Sequence, residues 1–208
     1  MQKIKNKKDL EIILSKLKTF ENPDISLEQY QTNSEIAARI LWEAYMNGDI
    51  KNKVIGDFGC GNGILGFGCL LLEAKKVYLV DKDKEAIKTA KENKKRLKDF
   101  KLNCVFVNKD INDFNERVDV VIENPPFGTK TKHIDKEFLS RAMKLSKIIY
   151  SFHKSTSGTF VDAFSRDNKF RISSVYCVKF PLKKMFGFHR KNSYFVDVCV
   201  WKLVKETL

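Results

Sequence analysis

Lys53-Val54-Ile55-Gly56-Asp57-Phe58-Gly59-Cys60-Gly61-Asn62-Gly63 decides the fold. Its first six residues read as a buried strand. The glycines after them form a turn whose backbone can approach a ligand closely, because no Cβ stands in the way. Ile64 to Ala74 then reads as a mostly apolar helix, and Lys76-Val77-Tyr78-Leu79-Val80-Asp81 as a second strand ending in an acid. Strand, glycine turn, helix, strand and acid make a nucleotide-binding βαβ unit. Asp81 lies roughly twenty residues past the turn, where a carboxylate can accept hydrogen bonds from ribose hydroxyls.

The turn is Gly-x-Gly-x-Gly rather than the Gly-x-Gly-x-x-Gly of dinucleotide enzymes, and Asp57 stands just before Gly59. A carboxylate there repels a pyrophosphate, which binds N–H dipoles and positive charge. It suits a ligand carrying an ammonium or sulfonium group, such as S-adenosylmethionine. That contrast favours a methyltransferase over a dehydrogenase.

Downstream, Asp83 caps a long polar helix to about Lys98, and Leu102 to Val107 reads as a third strand. Just past it, Asp110 is placed to accept from an adenine amino group, with Ile111 against the ring; a helix cap or turn acid is an equal reading of Asp110. Val118 to Glu123 is an apolar β-branched run, a buried parallel strand that two prolines end in Asn124-Pro125-Pro126-Phe127. Each residue before a proline is biased to extended backbone, so this is a stiff loop at the carboxyl end of a sheet strand, where α/β sheets bind ligands. The exocyclic amine of a nucleobase is a poor nucleophile because its lone pair is delocalised into the ring. Asn124 Oδ1 and the Pro125 carbonyl could accept its two hydrogens while Phe127 stacks on the base, which is catalysis by positioning. The bland alternative is a proline-stiffened strand end with Phe127 plugging the core.

Gly128 to His133 follows as a basic loop, with Lys130 and Lys132 available to phosphates. A helix from about Asp135 to Leu145 and a strand from Lys147 to Phe152 come next, with His153, Lys154 and Ser155 at the ligand-binding edge. A short helix spans roughly Thr159 to Asp167. Arg171 to Phe180 and Ser193 to Val204 alternate like antiparallel strands. Between these two strands, Lys183, Lys184, Arg190 and Lys191 mix with aromatic residues as an RNA-contacting loop or a solvated hairpin tip. The pattern predicts an α/β, doubly wound seven-stranded sheet.

Upstream, Leu10, Ile13, Leu14, Leu17 and Phe20 recur at helical spacing, ended by Glu21-Asn22-Pro23-Asp24. A second helix runs from Asn33 to Met46, capped by Thr32 or Asn33 and stopped by Gly48. The chain of 208 residues reads as one domain, with a helical segment over 1–48 and a catalytic sheet over 49–208. Its 39 Lys and Arg against 26 Asp and Glu leave a formal charge of +13 and favour a polyanionic partner, nucleic acid first. Five scattered cysteines without a Cys-x-x-Cys predict reduced thiols in a cytoplasmic protein, without a disulfide frame. No signal peptide or membrane span is expected. His133, His153 and His189 lack ligand spacing, so no metal centre is expected, and the absence of a Gly-x-Ser-x-Gly elbow disfavours a Ser-His-Asp hydrolase.

Gln29-Tyr30-Gln31-Thr32, Asp57-Phe58-Gly59-Cys60-Gly61, Asp81, Asn124-Pro125-Pro126-Phe127-Gly128-Thr129-Lys130 and Tyr150-Ser151-Phe152-His153-Lys154-Ser155 occur in this order. Together they resemble the methyltransferase-like protein 5 family and its archaeal relatives, class I, Rossmann-like enzymes that methylate N6 of an adenosine in small-subunit ribosomal RNA. The resemblance runs over nearly the whole chain. It implies S-adenosylmethionine as cofactor, with Gln29, Tyr30 and Thr32 covering it. Asp57, Gly59 and Gly61 would hold the methionine end, Asp81 the ribose, Asp110 and Ile111 the adenine, and Asn124 to Phe127 the target base, with Asn124 touching the cofactor as well. It also implies a small activator subunit on the edge strand Leu102 to Val107. Gln31 stands where the family usually has proline. The residues leave open another planar amine as target (guanine N2, cytosine N4 or a glutamine amide), a DNA adenine, or a non-catalytic RNA-binding role.

Overall fold

A computed structural model describes residues 4–19, 32–126, 134–183 and 193–206, apart from the side chains of 181–183, 193 and 194. The strands are β1 (Val54–Phe58), β2 (Lys76–Asp81), β3 (Cys104–Asn108), β4 (Val120–Glu123), β5 (Ile148–Lys154), β6 (Phe170–Lys183) and β7 (Ser193–Lys205). The helices are α1 (Lys7–Leu14), α2 (Ser34–Met46), α3 (Ile64–Leu71), α4 (Lys84–Arg96), α5 (Ile134–Leu145) and α6 (Gly158–Asp167). One sheet holds all seven strands in the order β3-β2-β1-β4-β5-β7-β6, as the doubly wound reading requires. β1 to β5 are parallel, and β7 lies antiparallel between β5 and β6.

Strand periodicity sorts the core into two layers. Ile55, Val77, Leu79, Val120 and Ile122 belong to the cluster that includes side chains of α1 to α4. Phe58, Val80, Val121 and Ile149 belong to the cluster with α5 and α6. Both sheet faces are covered, which explains why β4 reads as an unbroken apolar run. The strand order reverses between β1 and β4, and Phe58 pairs with Glu123 at their carboxyl ends. The glycine turn and Asn124 therefore leave neighbouring strand ends at the switch point, the crevice where such sheets bind ligands.

Asn33 caps α2 by accepting from the Glu35 and Ile36 N–H groups, and Asp83 caps α4 by accepting from Glu85. α1 stops at Leu14 although the apolar spacing continues, and Leu17 stays buried from a turn outside the helix. The Asn93 side chain takes both the Lys18 N–H (2.7 Å) and the Lys18 carbonyl (3.0 Å), which ties the backbone there to α4. Phe20 and the expected stop at 21–24 lie outside the described residues. α3 is three residues shorter than its apolar run, because Glu73 turns into the left-handed region at φ +66°.

The expectation of reduced cysteines holds for Cys60, Cys69 and Cys104 and is corrected for one pair. Cys177 and Cys199 form a disulfide across β6 and β7, where the antiparallel register sets them opposite each other with Cα atoms 4.0 Å apart. That closeness belongs to directly facing residues of a hairpin, and the sequence shows only two cysteines 22 residues apart. Among the described residues no helix is long and apolar enough to cross a membrane.

Candidate active site

Gly59, Gly61 and Gly63 hold φ of +66°, +55° and +83°, the left-handed region that favours glycine. A Cβ on Gly63 would come 2.5 Å from the buried ring of Phe67. Gly63→Ala is therefore expected to cost roughly 2–4 kcal/mol, the sum of backbone strain and overpacking, measurable by urea unfolding. Asp57 is 1% exposed and accepts the Gly66 N–H at 2.8 Å, so β1 supplies the acceptor for an open N–H of the first turn of α3. Gly66 permits this contact, since a Cβ there would lie 2.9 Å from the same carboxylate oxygen. Burial pushes Asp57 up to about 7, and a cation beside it would restore the ionised form.

Asp81 reaches across from β2. Its Oδ2 accepts the Gly61 N–H and its Oδ1 the Asp83 N–H, both at 2.9 Å. The acid read as a ribose ligand thus also shapes the glycine turn, and each oxygen keeps a second lone pair for a hydroxyl. Burial raises its pKa while the two backbone donors oppose the rise. Asp110 has the capping role that the sequence left open: its Oδ1 accepts from the Asn112 N–H at 2.9 Å and starts the 3-10 turn Ile111–Asp113. Ile111 is 5% exposed and belongs to the core cluster of Phe58 and Phe114, so little of it is left for an adenine ring.

Asn124 donates from Nδ2 to the Thr32 hydroxyl at 3.0 Å. Its Oδ1 is buried and has no hydrogen-bond partner among the described residues. Pro125 beside it is buried and Pro126 half-buried. The described residues before β1 are tied to both halves of the crevice. Thr32 holds Asn124, and the Asn62 side chain of the glycine turn donates to the Lys18 carbonyl at 3.0 Å, beside the Asn93 clamp. Gln29 and Tyr30, which lie between those anchors in sequence, are outside the described residues.

Sequence reasoning missed a buried polar chain behind Asn124. Ser151 donates to Glu123 Oε1 at 2.8 Å, and its Oγ lies 2.8 Å from His153 Nε2. His153 Nδ1 lies 3.9 Å from Asp135 Oδ2. Glu123 Oε2 is buried with no hydrogen-bond partner among the described residues. Burial pushes Glu123 up to about 8 and His153 down to about 4, so both are neutral at pH 7. The serine, histidine and aspartate run in a row, but Ser151 is fully buried, which leaves no room for it to attack a substrate. The expected RNA contact of His153 is corrected too: it is 1% exposed and packs edge-on against Trp201. The alternation of β5, which turns Ser151 and His153 to the same face as Glu123 of the paired strand β4, was the available signal. Lys154 ends β5 half-buried, while Phe127, Lys130, Lys132, Lys184, Arg190, Lys191 and the Lys183 side chain lie outside the described residues.

These groups fit S-adenosylmethionine. Two carboxylates beneath a glycine turn would suit a ligand with a cationic methionine end and a ribose, and the buried amide oxygen of Asn124 has no partner among the described residues.

The family model of the methyltransferase small domain matches residues 30–147. The uncharacterized protein MJ0284 of Methanocaldococcus jannaschii is 36% identical over 208 residues, 96% of this chain and 94% of its own. The Danio rerio rRNA N(6)-adenosine-methyltransferase METTL5 is 33% identical over 199 residues, 92% of this chain and 95% of its own. The crystal structure of PH1948 from Pyrococcus horikoshii, a candidate RNA methyltransferase, matches with a TM-score of 0.90 at 41% identity, over 98% of this chain and 100% of that one. The chain belongs to the methyltransferase small domain family, in the group of the METTL5 rRNA N6-adenosine-methyltransferases.

Proposed function

We propose that this protein methylates N6 of an adenosine in small-subunit ribosomal RNA, with S-adenosylmethionine as methyl donor. The observation that carries the reading is the buried Oδ1 of Asn124, without a hydrogen-bond partner among the described residues while Nδ2 donates to the Thr32 hydroxyl. When bound, S-adenosylmethionine would supply an electrophilic methyl group on a sulfonium, whose S–C bond breaks as the methyl is transferred and whose sulfur leaves as a neutral thioether. Asn124 Oδ1 and the Pro125 carbonyl accept the two amine hydrogens and draw the nitrogen lone pair out of conjugation with the ring. Pro125 and Pro126 keep both acceptors fixed, so no reorganisation is needed as the N–C bond forms. Phe127 stacks on the flipped-out base, and Gln29, Tyr30 and Thr32 close over the cofactor. Water takes the proton released from the methylated amine.

Lys130, Lys132, Lys154, Lys183, Lys184, Arg190 and Lys191 meet RNA phosphates around the base. A small activator subunit pairs with β3 in the cytoplasm. That reading is supported by the position of β3 at the sheet edge and by Val105, 38% exposed on the face away from α4. Incubation of deproteinised ribosomal RNA with labelled S-adenosylmethionine, followed by digestion to nucleosides, should yield N6-methyladenosine from the small-subunit RNA. Label in N2-methylguanosine, in N4-methylcytidine or in a protein glutamine instead would replace the adenosine reading.

A further inference from the structure

α4 carries six cations against two acids, and both acids are already paired. Glu85 meets Lys88 at 3.1 Å and Glu92 meets Lys18 at 2.9 Å. Lys84, Lys88, Lys91 and Lys95 are exposed, and their steps of four, three and four place them on one face of the helix. At ~1.5 Å per residue they form a line about 16 Å long. With Glu92, Asn108 and the stem of Ile87 they border a groove of about 400 Å³. A solvated helix face normally mixes signs at these spacings, and like charges three or four apart destabilise a helix by a few tenths of a kcal/mol each. Three such lysine pairs run in succession, offset in part where Lys88 meets Glu85, and a polyanion would offset the rest.

One end of the groove lies beside the strand end that carries Asp81. Asn108 borders it and donates to the Asp81 and Lys82 backbone carbonyls, each at 3.0 Å. We propose that the groove between the lysine face of α4 and Asn108 is a track for the phosphate backbone of the RNA that carries the target base. This rests on the reading of the protein as an RNA methyltransferase. It adds a contact face on the β2–β3 side of the sheet to the loops after β4 and between β6 and β7. An RNA backbone fits better than an acidic protein segment: the lining offers one apolar side chain, Ile87, where a protein interface needs a cluster of anchors.

The test is the full chain with Lys84, Lys88, Lys91 and Lys95 all changed to Gln, a residue that keeps helix propensity. Binding of deproteinised ribosomal RNA is measured by filter retention over a salt series, beside a control with Lys7, Lys98, Lys144 and Lys147 changed to Gln. The groove variant should bind about 10- to 100-fold more weakly at ~0.1 M salt. Its slope of log K against log salt should shrink by roughly 3, from about 0.7 per phosphate contact. The KM for RNA should rise with kcat and S-adenosylmethionine affinity unchanged. Equal losses in the control, an unchanged slope, or loss only of a co-purifying acidic protein would overturn the proposal. A wild-type chain that binds RNA through these lysines but methylates no nucleoside would sink the enzymatic reading and leave the groove standing.

Discussion

Replacing Asn124 with alanine should lower kcat on RNA by about 10²–10³, the usual effect of deleting one preorganised polar group at a reacting centre. Affinity for S-adenosylmethionine should change by no more than a few-fold, since Asp57 and Asp81 and the turn they support stay in place. Stability should move little. The substitution removes one hydrogen bond and leaves the buried Thr32 hydroxyl without that partner, and against this it removes a buried acceptor without a partner among the described residues, each of the two costing about 1–3 kcal/mol. A large loss of rate without loss of stability is what separates a positioned catalytic amide from a core contact. Asn124→Asp keeps an acceptor and can still take the Thr32 hydroxyl proton, so it should retain more activity than the alanine variant. Single-turnover methylation together with urea unfolding decides the matter. If the alanine variant keeps its rate, or loses it only in proportion to a fall in stability, Asn124 is not the acceptor of the base amine.

Much of this architecture was legible because local signals agreed with one another. β2 spans Lys76–Asp81 as its apolar alternation and terminal acid indicated, and the caps at Asn33 and Asp83 sit where short polar side chains precede helical spacing. The glycine turn and the double proline announced the crevice, because both restrict backbone geometry whatever surrounds them. The gaps lie where a side chain's partner is remote in sequence. Asn93 looks like one more polar residue of a polar helix, yet it is fully buried and clamps Lys18 from 75 positions away. Glu123 reads only as the last residue of a buried strand, and the pairing of β4 with β5 is what brings Ser151 to it. His153 looks like a cation at the ligand edge until the same alternation turns it inward beneath Trp201. Asp110 and Ile111 were placed correctly at a strand end, but position alone did not say whether their side chains face a ligand or the turn.

Changing Glu123 to glutamine should stabilise the protein increasingly as pH rises. Burial pushes this carboxyl from its ordinary 4.5 up to about 8. Between those values the unfolded chain has released the proton and the folded chain still holds it, so stability falls with rising pH. Glutamine keeps the acceptor for Ser151 and carries no ionisable group, so that slope disappears. At ~1.4 kcal/mol per pH unit the gap between variant and wild type would open from near zero at pH 4.5. Allowing for relaxation around a buried charge and for the second amide hydrogen that glutamine brings, it should reach roughly 2–4 kcal/mol at pH 8. His153 acts with the opposite sign. Held down at about 4, it withholds a proton that the unfolded chain takes up below 6.5, so both proteins should lose stability from pH 6.5 towards 4. Asp57, up to about 7, gives both the same decline over its own window, and the difference between the two curves isolates Glu123. Urea unfolding at half-unit steps from pH 4.5 to 9 measures it. Parallel curves would mean that Glu123 is ionised at neutral pH, with a counter-charge beside its Oε2, and that the pocket behind Asn124 is not the dry, neutral backing that holds the loop rigid.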